Sequence, residues 1–232
     1  VHVQQRPDIP AIAGLVHEVG ALLHVDAVHY ASHAAVDLPA LGADFLVCSP
    51  YKFLGPHLGV LAARPELLRT LHPDKLLPAT DEVPERFELG TLPYELLAGA
   101  RAAVNFLSSL APEGTGNRRA RLLAAFRAIE THENALRARI ERGLAALGGV
   151  TSYSRAARRT PTLLLTLDGR AAADVAERLA ERGVDAPAGS FYALEASRRL
   201  GLHDAGGLRL GLAPYNCDAD VDRLLDALAD LG

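Results

Sequence analysis

The alternation of apolar and polar positions divides the chain into helices and short strands. Residues 9–21, IPAIAGLVHEVGA, carry apolar side chains at helical spacing and follow Asp8, a suitable N-cap ahead of Pro10. LLHVD (22–26) predicts a short buried strand, DFLVC (44–48) a second and LGVLAA (58–63) a third. Short helical stretches such as LPALG between them predict part of a mostly parallel sheet covered by helices. Residues 71–93 are rich in proline and polar groups and predict loop, and 94–109 predict a helix.

Residues 117–147 form one long amphipathic pattern, free of Pro and Gly until Gly143 and ended by Gly148–Gly149. Beyond it the pattern predicts a strand (161–167), a helix (171–182), a strand near Val184, a strand (208–212) and a terminal helix (218–231). These elements make a small α+β layer with its own core. The overall class is therefore α/β. The domain boundary is expected within residues 116–130, which divides the chain into 1–120 and a small C-terminal α+β domain, 121–232.

With 232 residues, 49% of them hydrophobic and 22% charged, the chain is long enough for one large or two small domains. A net charge of −4 offers no electrostatic footprint for nucleic acid. No apolar run reaches membrane-spanning length, and no basic-then-apolar leader pattern opens the chain. Cys48 and Cys217 are too few and too far apart for a disulfide framework, so a reduced, cytoplasmic setting is expected. The chain starts at Val1 and contains no methionine, so Val1 is not expected to be a natural translation start.

Candidate chemistry concentrates between His24 and Lys52. Lys52 lies between an apolar strand and the turn FLGPHLG, where Gly55, Pro56 and Gly59 permit close approach of backbone and ligand. A lysine tucked against apolar walls has its ammonium destabilised, and the free amine can form an imine with an aldehyde. Taken alone, Lys52 reads as an exposed loop lysine; its neighbours in the sequence are what change that reading. Asp26 ends the first strand, where an unpaired buried carboxylate would need a cation, such as the protonated pyridine nitrogen of pyridoxal 5′-phosphate (PLP). In isolation it also reads as a turn cap. His29 can turn toward the same place and act as acid or base. Ser49 and Tyr51 flank the lysine with hydroxyls suited to a phosphate, and Thr91 follows Gly90 in ELGT.

The blocks DAVH, SPYK, ELGT and GLRLGLAPYNCDADVDRLLDAL, in this order, resemble the class V aminotransferases of PLP fold type I, and most of all their cysteine-desulfurase-like members. The 26 positions from Asp26 to Lys52 agree with that resemblance. It implies a PLP-dependent enzyme acting on an amino acid, with Lys52 as the Schiff-base lysine and Asp26 as the partner of the pyridine nitrogen. His29 would lie beside the cofactor ring, and Ser49 would bind its phosphate. Tyr51 stands where desulfurases place a phosphate-binding histidine. Thr91 would reach the phosphate of a neighbouring subunit, implying a homodimer, and Arg209 would bind the substrate α-carboxylate. Two-pronged recognition of a carboxylate suits a planar guanidinium.

Two departures qualify the resemblance. The loop APAGSFYALE (186–195) has Tyr192 near the position of the desulfurase nucleophile and no cysteine, so persulfide chemistry is not expected. Decarboxylation, epimerisation, transamination and β-elimination stay open. The chain also matches only the latter part of such enzymes, so 1–120 would be the latter part of a PLP-binding large domain. A different role follows from that: a catalytically inactive C-terminal fragment serving as a dimerisation or complementing half. His24, His29 and His33 fall close together, and imidazoles ligate zinc, but one strand residue and two loop residues need not converge; no metal is expected.

Overall fold

The structure, a computed structural model, describes residues 7–113 and 115–231, and the chain divides into two compact units, Asp8–Ala128 and the chain from Ile129 onward.

In the first unit, helix α1 (Ile9–Glu18) starts at Asp8, whose carboxylate accepts the Ala11 amide at 3.2 Å. It ends before Gly20, whose φ of 72° only a glycine adopts freely. Strands β1 (His24–Asp26) and β2 (Phe45–Cys48) run parallel, with Asp26 opposite Val47. The short α2 (Leu38–Leu41), capped by Asp37, lies between them in sequence. Strand β3 (Val60–Ala63) pairs antiparallel with β2, so this sheet is mixed, in the order β1–β2–β3. The cause is the connection: residues 49–59 carry only a single 3-10 turn, Pro50–Phe53, and no crossover helix, so the chain must fold back.

β1 is not buried as its apolar pattern predicts. His24 and Asp26 are exposed and Val25 is half-buried, because β2 is its single strand neighbour among the described residues. A short α3 (Pro65–Thr70) follows β3, residues 71–93 hold one 3-10 turn (Glu85–Phe87), and α4 spans Tyr94–Ser109. The buried residues here are mostly small: Ala13, Ala27, Ala31, Ala43 and Ala103, with Leu46 and Leu107.

Helix α5 (Arg118–Leu147) begins in the first unit and continues into the second, ending at Gly148 and Gly149 with φ of 69° and 59°. In the second unit β4 (Val150–Ser152), β5 (Thr162–Leu167), β6 (Ala188–Gly189) and β7 (Gly207–Gly211) form an antiparallel sheet, order β4–β5–β7–β6. Helices α6 (Ala172–Glu181), α7 (Leu194–Arg199) and α8 (Asp218–Ala229) complete it. Leu163 and Leu165 from β5, Leu208 and Leu210 from β7, Leu136 and Ile140 from α5, Leu179 from α6 and Leu224 from α8 share one core.

No strand forms at Val184. Gly183, at φ 73°, terminates α6, and the Val184 amide turns back to donate to the Leu179 carbonyl at 2.9 Å. That amide caps a helix, which leaves the strand role to residues 188–189. Val184 still packs against the core.

Candidate active site

The parallel pair β1–β2 places its carboxyl ends side by side, and ligands of open α/β sheets gather outside such ends. Asp26 is the last residue of β1; Ser49 follows β2 directly, and Lys52 lies on the 3-10 turn after it. The Ala27 amide donates to the Val47 carbonyl at 2.9 Å, which fixes the exit of β1 against β2.

Asp26 is exposed, so the cost of burying its charge does not arise. Its Oδ1 accepts the Val28 amide at 2.9 Å, the turn-capping role a strand-end aspartate commonly takes. His29 opens the 3-10 turn Tyr30–Ser32, and its ring meets that of buried His33 edge-on, centroids 4.9 Å apart. No group of three His, Cys, Asp or Glu residues suited to a metal ion occurs among the described residues.

Lys52 is likewise exposed, and no apolar wall encloses it. Its Nζ lies 5.0 Å from the Tyr51 ring centroid, and the Tyr51 ring stacks on His57 at 5.0 Å and 14°. The turn that carries it is closely packed. The Gly55 amide donates to the Pro50 carbonyl at 2.8 Å, and a Cβ at Gly55 would lie 2.8 Å from that of Pro50. Gly99 of α4 similarly approaches Pro56, leaving 3.1 Å for a Cβ. Of the three turn positions singled out in the sequence, Gly55 and Pro56 make close approaches; Gly59 faces open space.

The chain has two lysines, Lys52 and Lys75. Lys75 is committed: its Nζ donates to the Ala79 carbonyl at 2.8 Å and pairs with Asp81 at 3.1 Å. Of the chain's two lysines, Lys52 is thus the one without an acidic partner among the described residues.

Ser49 is half-buried and its side chain makes no capping bond to the turn it precedes; Tyr51 is 43% exposed. Thr91 is exposed and follows Gly90, whose φ is 76°. Arg209 belongs to the second unit, on β7 opposite Leu164. Its neighbours Leu208 and Leu210 point into the core, so strand alternation turns Arg209 to the other face. There its Cζ lies 4.2 Å from the Phe191 ring centroid. Phe191 and His57 are residues that sequence reasoning missed. The loop around Phe191 drew attention for its lack of a cysteine, and His57 sits unremarked in GPHLG.

Asp44 is the buried charge that builds the first unit. It is 3% exposed and accepts the Leu23 amide at 2.8 Å, His17 Nε2 at 2.9 Å and Arg64 at 3.2 Å. The Leu23 amide, then His17, hold its carboxyl below the usual range against the opposing effect of burial. One side chain thus ties α1, the start of β1 and the end of β3.

Neither cysteine belongs to the loop at Tyr192. Cys48 is half-buried on β2, where burial pushes its thiol up. Cys217 is the N-cap of α8, with its amide donating to Asp220 at 3.0 Å.

The donor set suits PLP by its chemistry: an uncommitted amine for an aldehyde, a carboxylate for a pyridinium nitrogen and hydroxyls for a phosphate. The aminotransferase class-V family model matches residues 5–224. Probable cysteine desulfurase 2 of Mycobacterium leprae is 33% identical over 222 residues, covering 90% of this chain and 49% of its own. Aminotransferase-like protein FGM3 of Gibberella zeae is 33% identical over 235 residues, covering 95% and 54%. The crystal structure of the cysteine desulfurase CsdA from Escherichia coli superposes with a TM-score of 0.79 at 28% identity, covering 97% of this chain and 55% of that one. The chain spans about half the length of the curated relatives it matches.

Proposed function

The chain belongs to the class-V aminotransferase family, and from that premise we propose that it holds PLP on Lys52 and acts on an amino acid. The observation that carries this reading is the placement of Lys52 on the turn leaving β2 and of Asp26 at the carboxyl end of the parallel neighbour β1. When bound, the cofactor supplies an electron sink for the bond broken at the substrate α-carbon.

The chain's own residues divide the remaining work. The Asp26 carboxylate keeps a proton on the pyridine nitrogen. Ser49 and Tyr51 hold the phosphate oxygens with their hydroxyls, and Thr91 does so for the neighbouring subunit of a homodimer. The Arg209 guanidinium grips the substrate α-carboxylate by two parallel N–H bonds. The Lys52 amine would take the substrate α-proton, and His29 would serve as a second acid or base at the site.

A tyrosine in the loop at residue 192, and cysteines placed on a strand and at a helix cap, support chemistry other than persulfide formation. The exposure of Asp26 and Lys52 favours a second reading, in which these residues serve as one wall of a site that other residues must complete. Membership of the site and completeness of the site are separable. Added PLP should give a visible absorbance band with the unsubstituted chain and none with Lys52→Ala. Arg209→Ala should weaken amino-acid binding more than tenfold with PLP binding unchanged; equal loss of both would contradict its assigned role. A band without turnover would support the second reading, and a colourless chain would refute the first.

A further inference from the structure

Arg209 has no carboxylate partner among the described residues, although it is half-buried on a strand. What it has is an aromatic face. Its Cζ stands 4.2 Å from the centre of the Phe191 ring. All five guanidinium donors lie in the plane of the group, so stacking on a π-face restrains that plane without consuming a donor. An acidic neighbour would restrain it equally well and would compete with any incoming carboxylate.

The backbone around Phe191 is shaped to hold that ring in place. Phe191 and Tyr192 take φ of 53° and 62°, two successive non-glycine residues in the left-handed region, and Tyr192 is left fully exposed. Both sides of the segment are pinned. The Arg209 amide donates to the Pro187 carbonyl at 2.9 Å, and Ala193 closes the turn onto the Ser190 carbonyl at 2.9 Å. Gly206 packs so tightly under the segment that a Cβ there would lie 2.0 Å from the Gly189 carbonyl oxygen. Strained backbone persists where surrounding structure over-determines it, and here the outcome is one aromatic ring laid over one arginine.

We infer that Phe191 is the positioning residue for Arg209, holding the guanidinium plane by its π-face so that the N–H edge stays open for an amino-acid carboxylate. The inference rests on the reading of Arg209 as the carboxylate ligand. The π-face, not the volume, carries the effect. Phe191→Tyr preserves it, and Phe191→Leu fills the space without it.

The test uses the full chain labelled with nitrogen-15, with L-alanine as the probe. The Arg209 Nε–Hε resonance, assigned by its loss in Arg209→Lys, should lie upfield from the ring current and move to an ordinary position in Phe191→Leu. L-Alanine affinity should fall about five- to tenfold in Phe191→Leu, the scale of a lost cation–π contact, and stay within about twofold in Phe191→Tyr. PLP affinity should not change in either variant. Equal L-alanine affinity in Phe191→Leu and the unsubstituted chain, with loss in Arg209→Lys, would overturn the positioning role and leave the Arg209 reading standing. No effect of Arg209→Lys, or no L-alanine binding by the unsubstituted chain, would overturn both. Loss of PLP affinity in Phe191→Leu would make the ring a structural support and overturn the inference.

Discussion

Replacing Asp44 separates the contribution of its charge from that of its shape. Its carboxylate sits at 3% exposure and gathers three donors from three elements. The His17 and Arg64 side chains are 44% and 66% exposed, so solvent screening limits each of those pairs to about 0–1 kcal/mol. The Leu23 amide, donating to a buried carboxylate, contributes about 1.5–3 kcal/mol. Asp44→Ala should therefore cost about 3 kcal/mol. Asp44→Asn keeps an oxygen for the Leu23 amide and should cost about 1 kcal/mol. Amide hydrogen exchange at Ala27, which bonds across β1–β2, reads this locally. At 1.4 kcal/mol per tenfold, protection should fall about a hundredfold in Asp44→Ala and about fivefold in Asp44→Asn. The folded-state value of Asp44 is depressed, so its contribution is fully present above the ordinary aspartate value near 3.9. It disappears as pH falls through the lower folded value. Asp44→Asn should lack that acid loss. Unchanged protection in Asp44→Ala, or the same acid loss in Asp44→Asn, would refute the reasoning.

Two further substitutions probe the second unit. Leu165 is 0% exposed and pairs with Leu208, also 0% exposed, so Leu165→Ala should lower stability by about 2–5 kcal/mol, measured by urea denaturation of the chain. A cost under about 1 kcal/mol would contradict its place in the core. Gly206→Ala puts a Cβ 2.0 Å from the Gly189 carbonyl oxygen at a φ of 70°, so it should open the β6–β7 pairing; nuclear Overhauser contacts between Ala188 and Leu208 should vanish while those between Leu164 and Arg209 persist.

The helices were legible where period and punctuation agreed. Tyr94–Ser109 follows its apolar spacing, and α5 stops at the paired glycines. Local signals failed where tertiary demands decided the outcome. Val184 carries strand-forming chemistry, yet its amide is taken by the end of α6. The apolar run before Asp26 reads as buried, but burial depends on what lies beside a strand, and β1 has one described neighbour. The direction of β3 followed from the connection, since a turn without a crossover helix cannot return a parallel strand. The candidate residues were readable in order, because strand ends and tight turns leave clear marks. The geometry of the site was not. That Phe191 faces Arg209 depends on two left-handed residues in a loop with no periodicity to betray them.

The role of Lys52 is open to a direct covalent measurement, because the one other lysine, Lys75, is paired with Asp81. The chain is mixed with PLP, treated with borohydride to fix any bond between the aldehyde and an amine, digested and mapped by mass. The account expects the added mass on the peptide containing Lys52 and none on the one containing Lys75. Label on Lys75 alone, equal label on both, or no label at all would contradict it.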